Sequence, residues 1–244
     1  MNNYLKKKLR NKLSSQLLKL SSIRRLYYPK PNLYKKVMID TSEYYSLMCK
    51  MSKEFNTDKS PYNQNGFRHA YTGIYNFLFK KIKNEKLLIC ELGVLKNESI
   101  KLLRNYFKNS TIYAFDNEKD LINRAKEDNL QKVYYNYINI KDEDNLTNTF
   151  LNLHLKFDII IDDSTHVFDD QIKIIKNLQS FLKPGGTPII EDIFKDYHEE
   201  NYYKSLKEYN KNFEDIYFIE AKHKNVFTPL WNNNKILVLE KKSE

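Results

Sequence analysis

Glycine and proline are scarce, 5 and 6 residues among 244, which excludes collagen-like and low-complexity chains and argues against long loops. Cysteine is almost absent. Cys49 and Cys90 lie far apart, so neither a disulfide framework nor a metal knuckle is available, and a reducing compartment, the cytoplasm, is the expected setting. No apolar run reaches the roughly 18 residues of a membrane-spanning helix, and the N-terminus lacks the apolar stretch of a secretory signal. Acid is missing from one region only. Residues 1–39 carry eleven Lys or Arg and no Asp or Glu, leaving 30 basic against 31 acidic side chains in the remainder. The net charge of +10 therefore belongs to an arm on a nearly neutral body, and gives no reason to expect a nucleic-acid cleft in that body.

The length suits one α/β domain with an extension. Leu5, Leu9, Leu13, Leu17, Ile23 and Leu26 recur at helical intervals among Lys and Arg, which predicts an amphipathic basic helix over 3–27. Three uses are open to it: packing on the domain or on a second subunit of a homo-oligomer, lying on anionic lipid at the inner face of a membrane, or serving as an acid-free presequence. An excess of Lys over Arg argues against the last. Pro29 and Pro31 end the pattern, so residues 1–40 read as arm and linker and 41–244 as the domain.

Within the domain, a helix-like stretch over 41–53 is followed by the polar turn Asn56 to Pro61 and a helix from about His69 to Asn84, its aromatics read as core. Then short apolar runs alternate with helices. Strands are expected at 86–93, 111–116, 132–140, 157–162 and 187–191, with a helix after each. Lys183-Pro184-Gly185-Gly186 reads as a helix stop and sharp turn, and a final β-rich pair at 216–221 and 235–240 closes the sheet. The alternation predicts a Rossmann-like, doubly wound α/β fold: seven strands, five parallel plus a closing antiparallel pair, with an N-terminal helical extension.

The runs end in chemistry. Gly93 follows the first strand without the two further glycines of a dinucleotide turn, which counts against NAD. Asp116 closes the second strand 23 residues later, roughly the offset of a carboxylate that accepts from a ribose diol; capping of the next helix is the alternative. Phe157 to Asp163 and Ile189 to Asp192 each finish in paired acids at neighbouring strand ends. Asp163, Glu191 and Asp192 are hard oxygen donors, suited to Mg²⁺ with open water positions. His166, three residues after Asp163, is placed to act as general base on a hydroxyl; a structural histidine at a helix start is the plainer reading.

The pairing of Ile-Asp-Asp-x-x-His with Pro-Gly-Gly-x-x-Ile-Ile-Glu-Asp, together with the lone-glycine first motif, resembles class I S-adenosylmethionine-dependent methyltransferases. Within them it is most similar to the metal-dependent sugar O-methyltransferases typified by the macrocin and mycinamicin enzymes. Thr57-Asp58-Lys59, with His69, Tyr71 and Tyr75, resembles the segment before the first strand in that family. The likeness runs from about residue 54 to 240. It implies that Glu91, Gly93 and Asp116 line the S-adenosylmethionine pocket, that Asp162 approaches the cofactor and Asp142 the adenine, that Asp163, Glu191 and Asp192 hold Mg²⁺, and that His166 is the base. Ser164-Thr165 stands where the family usually has Gly-Ser, a place suited to positive φ.

The expected activity is Mg²⁺-assisted methyl transfer from S-adenosylmethionine to a hydroxyl of a sugar or glycosylated small molecule. A nucleic-acid methyltransferase is the enzymatic rival, favoured by the basic arm but lacking any Pro-Pro loop of the Asn-Pro-Pro-Tyr kind. The non-enzymatic rival is a scaffold that binds S-adenosylmethionine and docks through its N-terminal helix.

Overall fold

In the computed structural model, residues 34–195 and 197–243 are described; the basic helix expected over 3–27 lies outside them. In chain order the elements are β1 (Lys35–Asp40), α1 (Leu47–Ser52), α2 (Tyr71–Phe79), β2 (Leu88–Leu92), α3 (Glu98–Tyr106), β3 (Thr111–Asp116), α4 (Lys119–Glu127), β4 (Val133–Tyr137), α5 (Glu143–Leu153), β5 (Phe157–Asp162), α6 (Phe168–Leu178), β6 (Leu182–Ile190), α7 (Glu199–Leu206), β7 (Phe213–Lys222) and β8 (Lys235–Lys241). Short 3₁₀ turns follow α6 and α7, at Gln179–Phe181 and Lys207–Asn212.

One sheet takes all eight strands in the order β1-β7-β8-β6-β5-β2-β3-β4, and β8 alone runs against its neighbours. The expected α/β class and strand alternation hold, but the count rises from seven to eight. Lys35–Asp40, expected in the linker, pairs in parallel with Tyr217–Lys222 of β7. Lys35 and Lys36 tie this mostly exposed edge to Asp215, Glu199 and Glu220, the charged dress typical of a sheet edge. A second departure lies in β6. It begins at Leu182 rather than after the glycines, and the register with β5 slips between Phe157 and Ile159, so Lys183 to Gly186 bulges within the strand.

The central strands are buried on both faces, as crossover helices require. Side chains alternate accordingly: Ile89, Ile159 and Ile161 join one core with α2 and α3, whereas Cys90, Leu92 and Ile160 join a second core with α5, α6 and α7. The crossovers diverge between β2 and β5, and ligands of such sheets sit beyond the strand ends at that point. There Leu92, Asp162 and Ile190 lie side by side in register. The ladder runs one residue further, with Asp163 N donating to Leu92 O and Glu191 N to Asp162 O, both at 2.9 Å. Gly93, Asp163 and Glu191 thus leave the sheet together.

Candidate functional site

The turn after β2 passes so close to β5 that only glycine fits. Gly93 has φ +102°, and a Cβ there would stand 2.1 Å from the Asp163 carbonyl oxygen. Asp116 holds the same turn from β3: Oδ2 accepts from Val94 N at 2.8 Å and Leu95 N at 3.3 Å, and Oδ1 from Glu118 N at 2.9 Å. Three N–H bonds on a carboxylate with about four lone-pair sites leave room for a further donor. A cavity of about 320 Å³ opens here, running from Gly93, Leu95 and Asp116 past Ile140 to His166 and Asp192. Leu95, His166 and Asp192 along its wall all have positive φ, at 45°, 57° and 54°, and backbone strain of this kind gathers at ligand sites.

Four carboxylates gather around Lys59 and His166: Glu91, Asp163, Glu191 and Asp192. Two groups divide them. The inner group surrounds Lys59, whose side chain is only 3 % exposed and whose Nζ lies 2.5 Å from Asp163 Oδ2, 2.6 Å from Glu191 Oε2 and 3.4 Å from Glu91 Oε1. Burial disfavours the ammonium, but these three acids outweigh it and hold the Lys59 pKa well above its ordinary value. Glu191 spends its other oxygen on the Tyr75 hydroxyl; burial pushes its pKa up, with Lys59 opposing. Glu91 accepts from Ser99 Oγ at 2.7 Å, while its Oε2 is buried without a partner among the described residues.

The outer group faces the cavity. His166 Nε2 lies 3.2 Å from Asp163 Oδ1 and 3.6 Å from Asp192 Oδ2, and one donor atom from each of these three residues falls within 4.8 Å of the others. Asp192 is aimed by the Tyr71 hydroxyl, 2.6 Å from Oδ1, and Tyr71 in turn stacks on His69 with centroids 4.9 Å apart. Burial lowers the pKa of His166, but the hydrogen bond to Asp163 and the charges of Asp192, Asp163 and Asp162 raise it on balance to about 9. Asp163 sits on the reverse side of that balance. Burial acts to raise its carboxyl, and Lys59 and His166 together carry it well below the usual range.

Not every expected residue faces the cavity. Gly93, Asp116, Asp163, His166 and Asp192 line it. Glu91 is fully buried behind them, against Lys59. Asp162 turns into its own loop, where Oδ1 accepts from Ser164 Oγ and N, and burial raises its pKa to about 6. Asp142 is exposed and caps α5 through Asn145 N at 3.0 Å; its neighbours Asn139, Ile140 and Lys141 line the cavity instead. Glu191 has both oxygens committed to Lys59 and Tyr75 and does not line the cavity, whereas Asp163 and Asp192 do, with Asp163 Oδ2 held by Lys59 and Oδ1 beside His166. The loop that lacks the family glycine is not strained at Ser164 or Thr165. Positive φ falls on His166, while Ser164 bonds back to Asp162 and Thr165 Oγ1 donates to Asp170 at 2.9 Å.

Lys59, Tyr71 and Tyr75, named from the sequence only as part of a segment resembling the family, take up roles at the site that the sequence did not assign. Tyrosine rather than phenylalanine in a buried helix face is a usable signal, because a buried hydroxyl needs a partner.

This arrangement has relatives. The model of the methyltransferase domain family matches residues 86–237, from β2 into β8. The chain belongs to the methyltransferase domain family. Curated relatives include the 8-demethyl-8-(2-methoxy-alpha-L-rhamnosyl)-tetracenomycin-C 3'-O-methyltransferase of Streptomyces olivaceus, 26% identical over 54% of this chain and 34% of that protein. Mycinamicin VI 2''-O-methyltransferase of Micromonospora griseorubida is 25% identical over 54% of this chain and 33% of its own length. The chain thus spans about a third of the length of the curated relatives it matches. Among solved structures, the MycE methyltransferase of the mycinamycin biosynthetic pathway, in complex with Mg, SAH and mycinamycin VI, aligns over 80% of this chain and 54% of its own with a TM-score of 0.59 at 19% identity. A putative O-methyltransferase from Klebsiella pneumoniae aligns over 81% and 90% with a TM-score of 0.54 at 12% identity. At these identities the solved structures establish the fold, a methyltransferase-type sheet. Among the described residues no helix is long and apolar enough to cross a membrane.

Proposed function

We propose that this methyltransferase domain transfers a methyl group from S-adenosylmethionine to a hydroxyl of a sugar or glycosylated small molecule, with Mg²⁺ as its metal. The observation that carries the reading is the convergence of Asp163, His166 and Asp192 on a cavity that the Gly93 turn and Asp116 also line. Relatives named for O-methylation of a rhamnosyl tetracenomycin, demethylmacrocin and mycinamicin VI support the acceptor class.

The residues fit both groups. Asp116 keeps an acceptor site for a ribose hydroxyl, and the cavity has the size of a small-molecule site, for which about 300–1,000 Å³ is usual. Two carboxylates that line the cavity, Asp163 and Asp192, suit Mg²⁺, which commonly takes one or two carboxylates and keeps several waters. When bound, S-adenosylmethionine supplies an electrophilic methyl group, and the cation binds and acidifies the acceptor hydroxyl.

The chain's own residues do the rest. Asp163 and Asp192 would hold the cation, and Tyr71 fixes the direction of Asp192. His166 takes the hydroxyl proton as the oxygen advances, a contribution of roughly 10²–10⁴ in rate. Holding donor and acceptor in line supplies on the order of 7–11 kcal/mol. The test is release of S-adenosylhomocysteine from S-adenosylmethionine with a panel of glycosides, with EDTA and with His166→Ala. Loss under both conditions and recovery on adding Mg²⁺ are expected. Full turnover under both would sink the mechanism, and no calorimetric heat with millimolar S-adenosylmethionine would favour a scaffold.

A further inference from the structure

Beside His166 the acid cluster gives way to aromatic carbon. The Trp231 ring centroid lies 6.4 Å from that of His166 at an interplanar angle of 88°, 5.8 Å from Phe194 at 34° and 6.3 Å from Phe67 at 56°. Three separate segments supply these rings, and backbone bonds pin them together. Arg68 and Phe227 exchange N–H···O=C bonds of 2.9 and 3.0 Å, and Asn232 O accepts from Lys195 N at 2.7 Å. Trp231 N closes its own turn on Thr228 O at 3.0 Å.

These rings are not core. Trp231 is 45% and Phe67 43% exposed, and single exposed aromatics are ordinary, but a cluster of them on fixed backbone next to a candidate base marks a binding surface. His166 stands at the border, because it lines the cavity while its ring meets the edge of Trp231. An acceptor hydroxyl has to reach His166 from the side that the cofactor cavity does not occupy, which carries the group bearing it over the indole.

The shape of the corner selects the group. Trp231 stands at 34° to Phe194, 56° to Phe67 and 88° to His166, so no pair of these rings forms the parallel-walled slot that a flat ring would fill. A saturated ring is thicker, and one face carries C–H bonds whose positive edge suits the negative face of an indole. Its hydroxyls would then turn toward Asp163, His166 and Asp192. We propose that Trp231, with Phe67 and Phe194, is the acceptor subsite, and that it takes a saturated polyhydroxylated ring by its C–H face. The proposal rests on the methyl-transfer reading above and adds the place and the chemistry of acceptor recognition.

Trp231 is the only tryptophan of the chain, so intrinsic fluorescence reports this subsite directly. The full chain, loaded with S-adenosylhomocysteine and Mg²⁺, is titrated with methyl β-D-glucopyranoside, methyl 6-deoxy-α-L-mannopyranoside, catechol and sorbitol. Saturable change of the Trp231 emission by a glycoside, with none from acyclic sorbitol, is expected, and S-adenosylhomocysteine alone should leave the emission nearly unchanged. Trp231→Ala should raise the acceptor KM roughly tenfold, the equivalent of about 1.4 kcal/mol of lost stacking, with kcat little changed. Trp231→Phe should recover most of that loss. The proposal is overturned if no glycoside moves the emission, if catechol binds in preference, if S-adenosylhomocysteine alone produces the change, or if Trp231→Ala leaves KM intact. Calorimetry with S-adenosylhomocysteine separates the two readings. Binding of the cofactor product with a silent Trp231 removes the subsite alone, whereas no binding removes the methyl-transfer reading and the subsite with it.

Discussion

Replacing Lys59 with methionine keeps the side chain as far as Cε and deletes the ammonium that, among the described residues, lies inside the carboxylate cluster. Asp163, Glu191 and Glu91 all lie within 3.4 Å of Lys59 Nζ, and Glu91 and Glu191 are at most 1% exposed, so neither can recover by turning to water. Removing one partner of a buried ion pair costs about 3–5 kcal/mol, because the remaining charge is left uncompensated. For a chain of this size each kcal/mol moves Tm by about 2–4 °C, so a fall of roughly 6–20 °C is expected for Lys59→Met. A divalent cation on Asp163 and Asp192 would then supply much of the missing positive charge. The Tm rise on adding Mg²⁺, followed by scanning calorimetry, should therefore be larger in Lys59→Met than in the native chain, and a tenfold gain in affinity would add about 1.4 kcal/mol at saturation. Adding Glu191→Gln should return part of the lost stability, since it removes one of the buried acids that Lys59 no longer offsets, and the two substitutions should be non-additive by about 0.5–3 kcal/mol. A Lys59→Met chain that melts with the native one, or whose response to Mg²⁺ is no greater, would refute the idea that Lys59 neutralises the inner acids.

Three other outcomes are expected. Gly93→Ala puts a methyl group 2.1 Å from the Asp163 carbonyl at φ +102°, so backbone strain alone should cost about 1–3 kcal/mol in denaturant melts, and S-adenosylmethionine affinity should fall with the displaced turn. Tyr71→Phe deletes the donor that orients Asp192 and should weaken Mg²⁺ binding by about 10–100-fold in calorimetry, with little change in the cofactor. The His166 ring should titrate near about 9 in NMR spectra of the metal-free protein, since its pKa is raised by Asp163 and Asp192. Mg²⁺ should lower that midpoint, because it competes for the same carboxylates. Below the midpoint the imidazole carries its proton and cannot accept another, so methyl transfer should rise with pH through it; a rate that falls over that range would exclude His166 as the base.

The strand ends can be read from the sequence because a buried parallel strand leaves a short apolar run, and Phe157 to Asp162 keeps that form without interruption. Gly93, Asp163, His166 and Asp192 follow directly, since each stands within a few residues of such a run. Residues whose partners arrive from elsewhere are not legible this way. Lys59 belongs to the Thr57-Asp58-Lys59 stretch that resembles the family, but its place among the acids does not show there, because its contact with Glu191 spans 132 positions. The family resemblance places Asp142 by the adenine, yet local capping claims its side chain. The strand Lys35–Asp40 is hidden by its own dress, because lysines and neighbouring prolines mask a three-residue apolar centre that needs β7 beside it to become a strand. The turn at Ser164 shows the same limit at closer range. A missing glycine signals lost φ freedom only if the positive φ stays at that position, and here it falls on His166.

A parallel sheet delivers acids to one place whenever adjacent strands end in carboxylates, so the clustering itself says little about catalysis. What separates this cluster from a generic one is the region before β2. Lys59, Tyr71 and Tyr75 come from the turn and helix that precede the first central strand, and each donates to an acid from the opposite end of the domain. They act on different members: Lys59 and Tyr75 satisfy Glu191, whereas Tyr71 leaves one oxygen of Asp192 facing the cavity. The same segment continues to Phe67 and, through the Arg68 bridge to Phe227, to the loop that carries Trp231. One stretch of chain therefore fixes the charge of the inner acids, the aim of the outer one and the aromatic wall beside His166. A consequence is that changes in residues 57–75 should move metal affinity and acceptor KM together, while changes at Asp116 should move cofactor affinity without either.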